Sequence, residues 1–210
     1  KSILEKYNSF SLGQKSFLLG AFFLASALPI SGFFFIFAII FSLLKNTSNP
    51  FKGKLNYLLY LAIGLIIFST INNTIFNFSS ATAELDKTNI YVGILNWIPL
   101  FFSFWGFQAY LKTNTQRKLF AKSLLIGSIP VILSCILQYW FKIYGPFEAL
   151  NGLVVWFQKP LSGNTGVSGL FSNQNYAGLW LSAIWPFSIF ISRDLNKNKF
   201  LKVIFIIFSF

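Results

Sequence analysis

Histidine and methionine are missing from the 210 residues, cysteine occurs once, and only five residues are acidic. Each shortage excludes something. Without histidine the chain lacks the usual general base near neutral pH and the commonest metal ligand, so zinc-type sites have no support. We expect no metal and no cofactor. The lone Cys135 excludes an internal disulfide, and within an apolar run it reads as a small packing residue. Charge is scarce as well: 10% of the residues are charged, against roughly 25% in a soluble domain.

What takes the place of charge is apolar. Hydrophobic residues make up 55% of the chain, phenylalanine alone supplies 28 residues, and the mean hydropathy is +0.63. This is the composition of a membrane protein. The formal net charge of +12 invites a nucleic-acid reading, but the positions of the cations argue otherwise. Lys and Arg sit in short loops between apolar segments, the arrangement by which a spanning chain sets its orientation. The expected partner is therefore a lipid bilayer, and no nucleic acid is expected.

The expected fold class is all-α: a polytopic transmembrane helical bundle with about six apolar segments, residues 1–210 forming a single transmembrane domain. Phe17 to Leu44 carries no charge and is longer than the ~7–15-residue core of a secretory signal. As one helix it would measure ~42 Å, beyond a ~30 Å hydrocarbon core. Pro29, Ser31 and Gly32 lie near its middle, so it is either one kinked span or a short hairpin of two helices. Four further runs follow: Leu55–Ile71, Ile90–Leu111 with Pro99, Leu124–Phe141 with Pro130, and Tyr176–Ile191. A last run begins at Phe200. The chain stops inside it, at Phe210, so a C-terminal part is expected beyond. The isolated amides Asn96 and Gln108 predict hydrogen bonds between helices in preference to substrate contact. Tyr139, Trp140 and Tyr144 fit an interfacial aromatic belt.

Counting Lys and Arg by loop orients the chain. Loops 45–54, 112–122 and 193–202 hold three, four and four, whereas 72–89 and 142–168 hold one and two. The first set should face the cytoplasm and the second the outside. Residues 142–168 are then an outer-face loop, with Phe147 to Phe157 apolar enough to lie along the membrane surface. The lysines at 1, 6 and 15 also favour the cytoplasm, which suits the hairpin for Phe17–Leu44.

One stretch stands apart. Gly163 to Gly178, GNTGVSGLFSNQNYAG, crowds glycines, amides and hydroxyls against the start of an apolar run. Polar, glycine-rich chain at a membrane boundary persists where it faces water or other protein. A plain role is available: Asn173 or Asn175 caps the helix that follows, and the glycines loosen the loop. A functional role is available too. The run Tyr176–Ile191 is only about 24 Å long as a helix, so the Asn173–Asn175 turn should lie at or slightly within the lipid boundary.

The ordered pattern Gly169, Phe171, Asn173, Asn175, running into a span, resembles the O-antigen ligase and polymerase family. Its members carry an R-x-x-G-x-F-x-N-P-N segment at an outer-face helix entrance. Two positions depart from it: Gly166 stands at the arginine and Gln174 at the proline. The resemblance implies a multi-pass protein of the bacterial inner (plasma) membrane acting in lipopolysaccharide biosynthesis. It would be a metal-independent glycosyltransferase that moves a glycan from a polyprenyl pyrophosphate carrier to a lipid or protein acceptor. Such transfer needs cations where charge develops on the leaving pyrophosphate and a base for the acceptor hydroxyl. The two arginines, Arg117 and Arg193, fall on the cytoplasmic side by charge count. Lys159 is therefore the candidate substitute for the missing arginine, the alternative being a lysine that snorkels to the interface. Gly169 would let backbone approach the donor, Asn173 and Asn175 would hold the turn and the helix N-terminus, and Phe171 would pack against lipid or helices. The catalytic groups themselves, the family's outer-face histidine among them, are expected C-terminal to this region.

A second class remains open. Cyanobacterial inorganic-carbon-accumulation proteins are similar in sequence to this family, which suggests a membrane transporter for a small anion such as bicarbonate. The expected complete spans carry no charged residue at their centres, where ion pathways often have one. A wall-glycan polymerase is a third possibility, against which the N-x-N pattern argues.

Overall fold

The computed structural model describes residues 11–45, 54–75, 87–163 and 166–192. The lysines at 1, 6 and 52, Glu84, Asp86 and everything from Arg193 onward, including the run from Phe200, lie outside the described residues, as does the side chain of Asn96. In chain order the helices are α1 (Leu12–Phe23), α2 (Leu28–Lys45), α3 (Lys54–Ile75), α4 (Lys87–Gln108), α5 (Asn114–Gly127), α6 (Ile129–Trp140) and α7 (Gln174–Ser192). Between α6 and α7 lies an antiparallel pair, β1 (Phe147–Ala149) and β2 (Val154–Trp156). The described chain is thus mostly helical. It falls into two compact units, one of residues up to Ala38 and from Tyr110 onward, the other of Ile39–Ala109.

In the first unit the run from Phe17 to Leu44 is two helices parted at residues 24–27. Ser11 caps α1, its hydroxyl accepting the Gln14 N–H at 3.3 Å, so the helix starts earlier than the first apolar residues would suggest. Pro29 falls in the first turn of α2, where a missing N–H is no loss. Ser31 donates to the Gly20 carbonyl at 2.7 Å, and the Phe17 and Phe35 rings lie 6.0 Å apart, so α2 folds back along α1.

α5 is the middle of this unit, packed against both α1 and α7. Its contact with α1 is a backbone approach. A Cβ on Gly127 would lie 2.0 Å from the Phe22 carbonyl oxygen, and Ser123 donates to the Leu18 carbonyl at 2.6 Å. Towards α7, Ala121 and Leu125 bury themselves with Ile191, and Phe187 and Phe190 pack around them. Phe17 stacks on Tyr110 and Phe120 with centroids at 5.4 and 5.1 Å, and the Tyr110 hydroxyl donates to the Ala38 carbonyl.

The basic cluster of 112–122, expected as a loop before a span at Leu124, lies largely on α5 instead. Thr113 and Gln116 form a capping box, the Thr113 hydroxyl accepting Gln116 N–H and the Gln116 amide accepting Thr113 N–H at 2.9 Å. That signal starts a helix whatever the polarity of its first turns, and Lys and Arg are good helix formers. Arg117 reaches back to the Leu111 carbonyl at 2.9 Å. α5 and α6 then form an almost continuous apolar stretch, Asn114–Trp140, broken at Ser128 just before Pro130. The Ser128 hydroxyl donates to the Leu124 carbonyl and accepts Trp180 Nε1–H at 2.9 Å, tying the break to α7.

The second unit is built on α3 and α4. Gln108 donates to Asn56 Oδ1 at 3.2 Å, the interhelical amide bond expected of it, and Asn56 is buried. Tyr60 and Trp105 lie ring to ring at 5.2 Å, and a Cβ on Gly106 would meet Ile39 at 2.8 Å. Among the described residues, Asn114–Trp140 is the one stretch long and apolar enough to cross a membrane, with Leu28–Leu44 and Asn56–Asn72 as shorter apolar helices.

Gly127→Val should drive α1 off α5, because the obstacle is backbone and cannot rotate aside. Overpacking of this kind costs about 1–3 kcal/mol. Thermal unfolding in detergent should show the loss, while Gly64→Ala, on an open face of α3, should leave the midpoint unchanged or raise it.

Candidate functional site

One face of α6 carries the candidate site. Val131, Ser134 and Gln138 recur at helical spacing and are all buried, with Cys135 beside them. Against this face lie two segments of the following loop, Phe157–Lys159 and Ser168–Leu170. They pair with each other: Phe157 N–H donates to the Leu170 carbonyl and Gln158 N–H to the Gly169 carbonyl, at 3.2 and 3.1 Å. The apolar section Phe147–Phe157 is not featureless surface chain. Its core is the hairpin, with Phe147 opposite Trp156 and Ala149 opposite Val154.

Two buried glutamines bind the loop to α6. Gln138 is 1% exposed and uses its whole amide. Its Oε1 accepts the N–H groups of Ser168 and Gly169 at 3.0 and 2.9 Å, and its Nε2 donates to the Lys159 carbonyl and Ser168 Oγ at 2.6 and 3.1 Å. Gln158 reaches the other way, accepting from Ser134 Oγ at 2.5 Å and donating to the Ile143 carbonyl at 2.8 Å. A buried amide is stabilising only when its groups are paired, and these are.

Gly169 sits at φ +54°, and a Cβ there would lie 2.8 Å from Cys135 Sγ. The close backbone approach that this glycine permits is therefore to α6. Cys135 is its packing partner, as expected of a small residue in an apolar helix.

In front of the clamp is a cavity of about 260 Å³. Gln138 and Ser168 line it on the α6 side, Lys159, Pro160, Ser162 and Gly166 on the loop side, and Ser172, Asn173 and Gln174 at the mouth of α7. Of the residues singled out from sequence, Lys159 and Asn173 meet here. Gly169 lies behind the lining, Phe171 turns towards Trp180 with ring centroids 6.4 Å apart, and Asn175 is exposed. The capping role open to Asn173 or Asn175 falls to Asn173, whose Oδ1 accepts the Asn175 N–H at 2.8 Å. Gly166 and Gln174, the two departures from the R-x-x-G-x-F-x-N-P-N pattern, touch: the Gln174 side chain accepts the Gly166 N–H.

The electrostatics are one-sided. Among the described residues the lining has one cation, Lys159, and no carboxylate. Ser168 Oγ already accepts two hydrogen bonds, from Gln138 Nε2 and from Lys159 N–H at 3.2 Å. Both partners are donors, so neither takes the Ser168 hydroxyl proton. A group that lines the cavity and still has a proton to donate suits an acceptor-rich ligand.

Sequence reasoning passed over Gln138, Ser134, Gln158 and Ser168. Gln138 offered the same signal as Gln108, a lone amide in an apolar run. Its partners lie 21 to 31 residues away on a loop and leave no local trace.

Gln138→Leu should leave the Ser168 and Gly169 N–H groups and the Lys159 carbonyl without their partner. Each buried group orphaned in this way costs about 1–3 kcal/mol. A lowered unfolding midpoint and faster proteolysis within 157–170 are the expected readouts. Gly169→Ala should also destabilise, and replacing Cys135 by Ala should recover only the part due to the clash, leaving the strain of φ +54°.

No protein-family model matches the chain, and no curated protein or solved structure matches it.

Proposed function

We propose that the protein is an O-antigen ligase-like glycosyltransferase of a bacterial plasma membrane. It would move a glycan from a polyprenyl pyrophosphate carrier to an acceptor at the outer face. The observation that carries this reading is the cavity before α7, lined by Lys159, Ser168 and Asn173, with no carboxylate among its described lining residues.

The membrane part has its own support. Apolar side chains stand exposed in rows on the helices: Leu61, Leu65 and Phe68 on α3, and Leu133, Ile136 and Trp140 on α6. Faces of this kind are stable in lipid and costly in water. With the Lys and Arg bias of the loops, a multi-pass arrangement with the 142–168 loop outside is the simplest account.

In the proposed reaction the carrier's pyrophosphate leaves as charge builds on its bridging oxygen. Lys159 would offset that charge, Ser168 would donate to a phosphate oxygen, and the first N–H groups of α7 favour an anion at the same mouth. Asn173 holds that mouth in shape by capping α7. The Gln174–Gly166 contact closes the loop where the family pattern has an arginine side chain, which leaves Lys159 as the lining cation. These groups bind and orient the donor. Deprotonation of the acceptor is assigned to none of them.

The test is glycan transfer in membranes lacking an endogenous ligase, supplied with polyprenyl-linked glycan. Carrier-dependent labelling of an acceptor is expected, with Lys159→Ala lowering the rate by about 10- to 100-fold. Asn173→Ala together with Asn175→Ala should lower it as well. No transfer by well-inserted protein would sink the proposal, and uptake of a small anion such as bicarbonate into proteoliposomes would then favour transport.

A further inference from the structure

The hairpin between α6 and the cavity presents an unexpected surface. Its turn runs through Leu150, Asn151 and Gly152, all with positive φ, at 54°, 54° and 82°. Asn and Gly belong in such a turn; a leucine does not. The Leu150 side chain is 63% exposed, and Leu153, whose N–H donates to the Leu150 carbonyl at 3.2 Å, is 59% exposed. One face of the hairpin is turned inward. Val154 is buried, and Trp156 Nε1–H is given to the Ser26 carbonyl at the α1–α2 connection, at 2.5 Å. The register puts Glu148 and Val155 on the opposite face, so the tip alone carries the two projecting leucines.

The tip is not an isolated apolar spot. The chain leaves α6 through Tyr139, Trp140 and Phe141, all exposed, and Lys142, whose Nζ sits 5.2 Å from the Tyr139 ring centroid. That is the end of the one described stretch long and apolar enough to cross a membrane. Aromatic rings with a lysine beside them are the side chains that settle at the headgroup level of a bilayer. Gln158 then fastens the far end of the hairpin to the Ile143 carbonyl, just after this rim. Apolar surface therefore continues from the end of the helix onto the hairpin. The charges beside it are Lys142 and Glu148, with Lys159 following on the chain.

We propose that the tip formed by Leu150 and Leu153 inserts into the interfacial layer of the lipid bilayer that receives the apolar helices. It is a second membrane anchor, holding the loop that bears the cavity against the lipid headgroups. The strained leucine is then accounted for, since its side chain is covered by lipid instead of protein. The proposal rests on the membrane part of the reading above and is independent of glycan transfer.

The experiment places a polarity-sensitive fluorophore on single cysteines in a Cys135→Ala background, reconstituted into phosphatidylcholine vesicles. Leu150→Cys and Leu153→Cys report on the tip, and Leu133→Cys, on an exposed position of α6, reports on the helix. Blue-shifted emission at both tip positions, lost on adding lipid spin-labelled near the headgroup and retained with iodide on both sides, is expected. Emission at the tip as in water, quenched by iodide, while the Leu133 label is quenched by lipid, overturns the anchor alone. Failure of spin-labelled lipid to quench at Leu133 as well as at the tip overturns the anchor together with the membrane reading.

Discussion

The loop between α6 and α7 depends on the side chain of Gln138. An amide has two donors and two acceptor sites on one oxygen, and on α6 all of them are spent on chain segments distant in sequence. The two segments it grips also pair with each other, so the glutamine fixes both of them against a helix. Gly169 allows that strip to come close, and Cys135 is the surface it meets. Gln158 repeats the device from the loop side through Ser134. Ordering a long loop costs conformational entropy, and these paired amides offset part of that cost.

α6 can serve as this platform because it is itself held. The break at Ser128 divides it from α5, and the Ser128 hydroxyl joins α7 through Trp180. α5 is locked to α1 where Gly127 lets the Phe22 carbonyl come within contact distance of the helix. Small residues in these places allow backbones to approach, which matters most where lipid offers no hydrophobic drive between helices. The cavity before α7 is thus framed by a clamped strip on one side and a capped helix on the other.

The proposed chemistry follows from what this frame leaves unspent. Gln138 has nothing more to offer a ligand. Ser168 has its proton, and Lys159 lines the cavity from a main chain whose N–H and carbonyl are both bonded. Gln174, standing where the resembling family has proline, uses its side chain on Gly166, standing where that family has arginine. The two departures form one local arrangement.

Much of the helical content could be read directly from the residues. The apolar runs at Leu55–Ile71 and Ile90–Leu111 lie within α3 and overlap α4, Pro29 marked the neighbourhood of the α1–α2 break, and an asparagine before Tyr176 capped the next helix. These signals are local, because periodicity, caps and proline act within a turn or two of chain. The start of α5 was misjudged because hydropathy outweighed the capping box at Thr113. The site was legible only in part: Lys159 and Asn173 were named, whereas Gln138 and Ser168 were not. Composition and pattern alone determined that this chain is helical and where its polar, glycine-rich turn lies. Only the tertiary structure decided that Gly169 faces α6, that Gln138 spends its whole amide on the loop, and that Ser168 Oγ accepts from both Gln138 and Lys159. Such facts depend on partners 21 to 31 residues away, and a polar side chain in an apolar run does not announce which distant backbone will satisfy it.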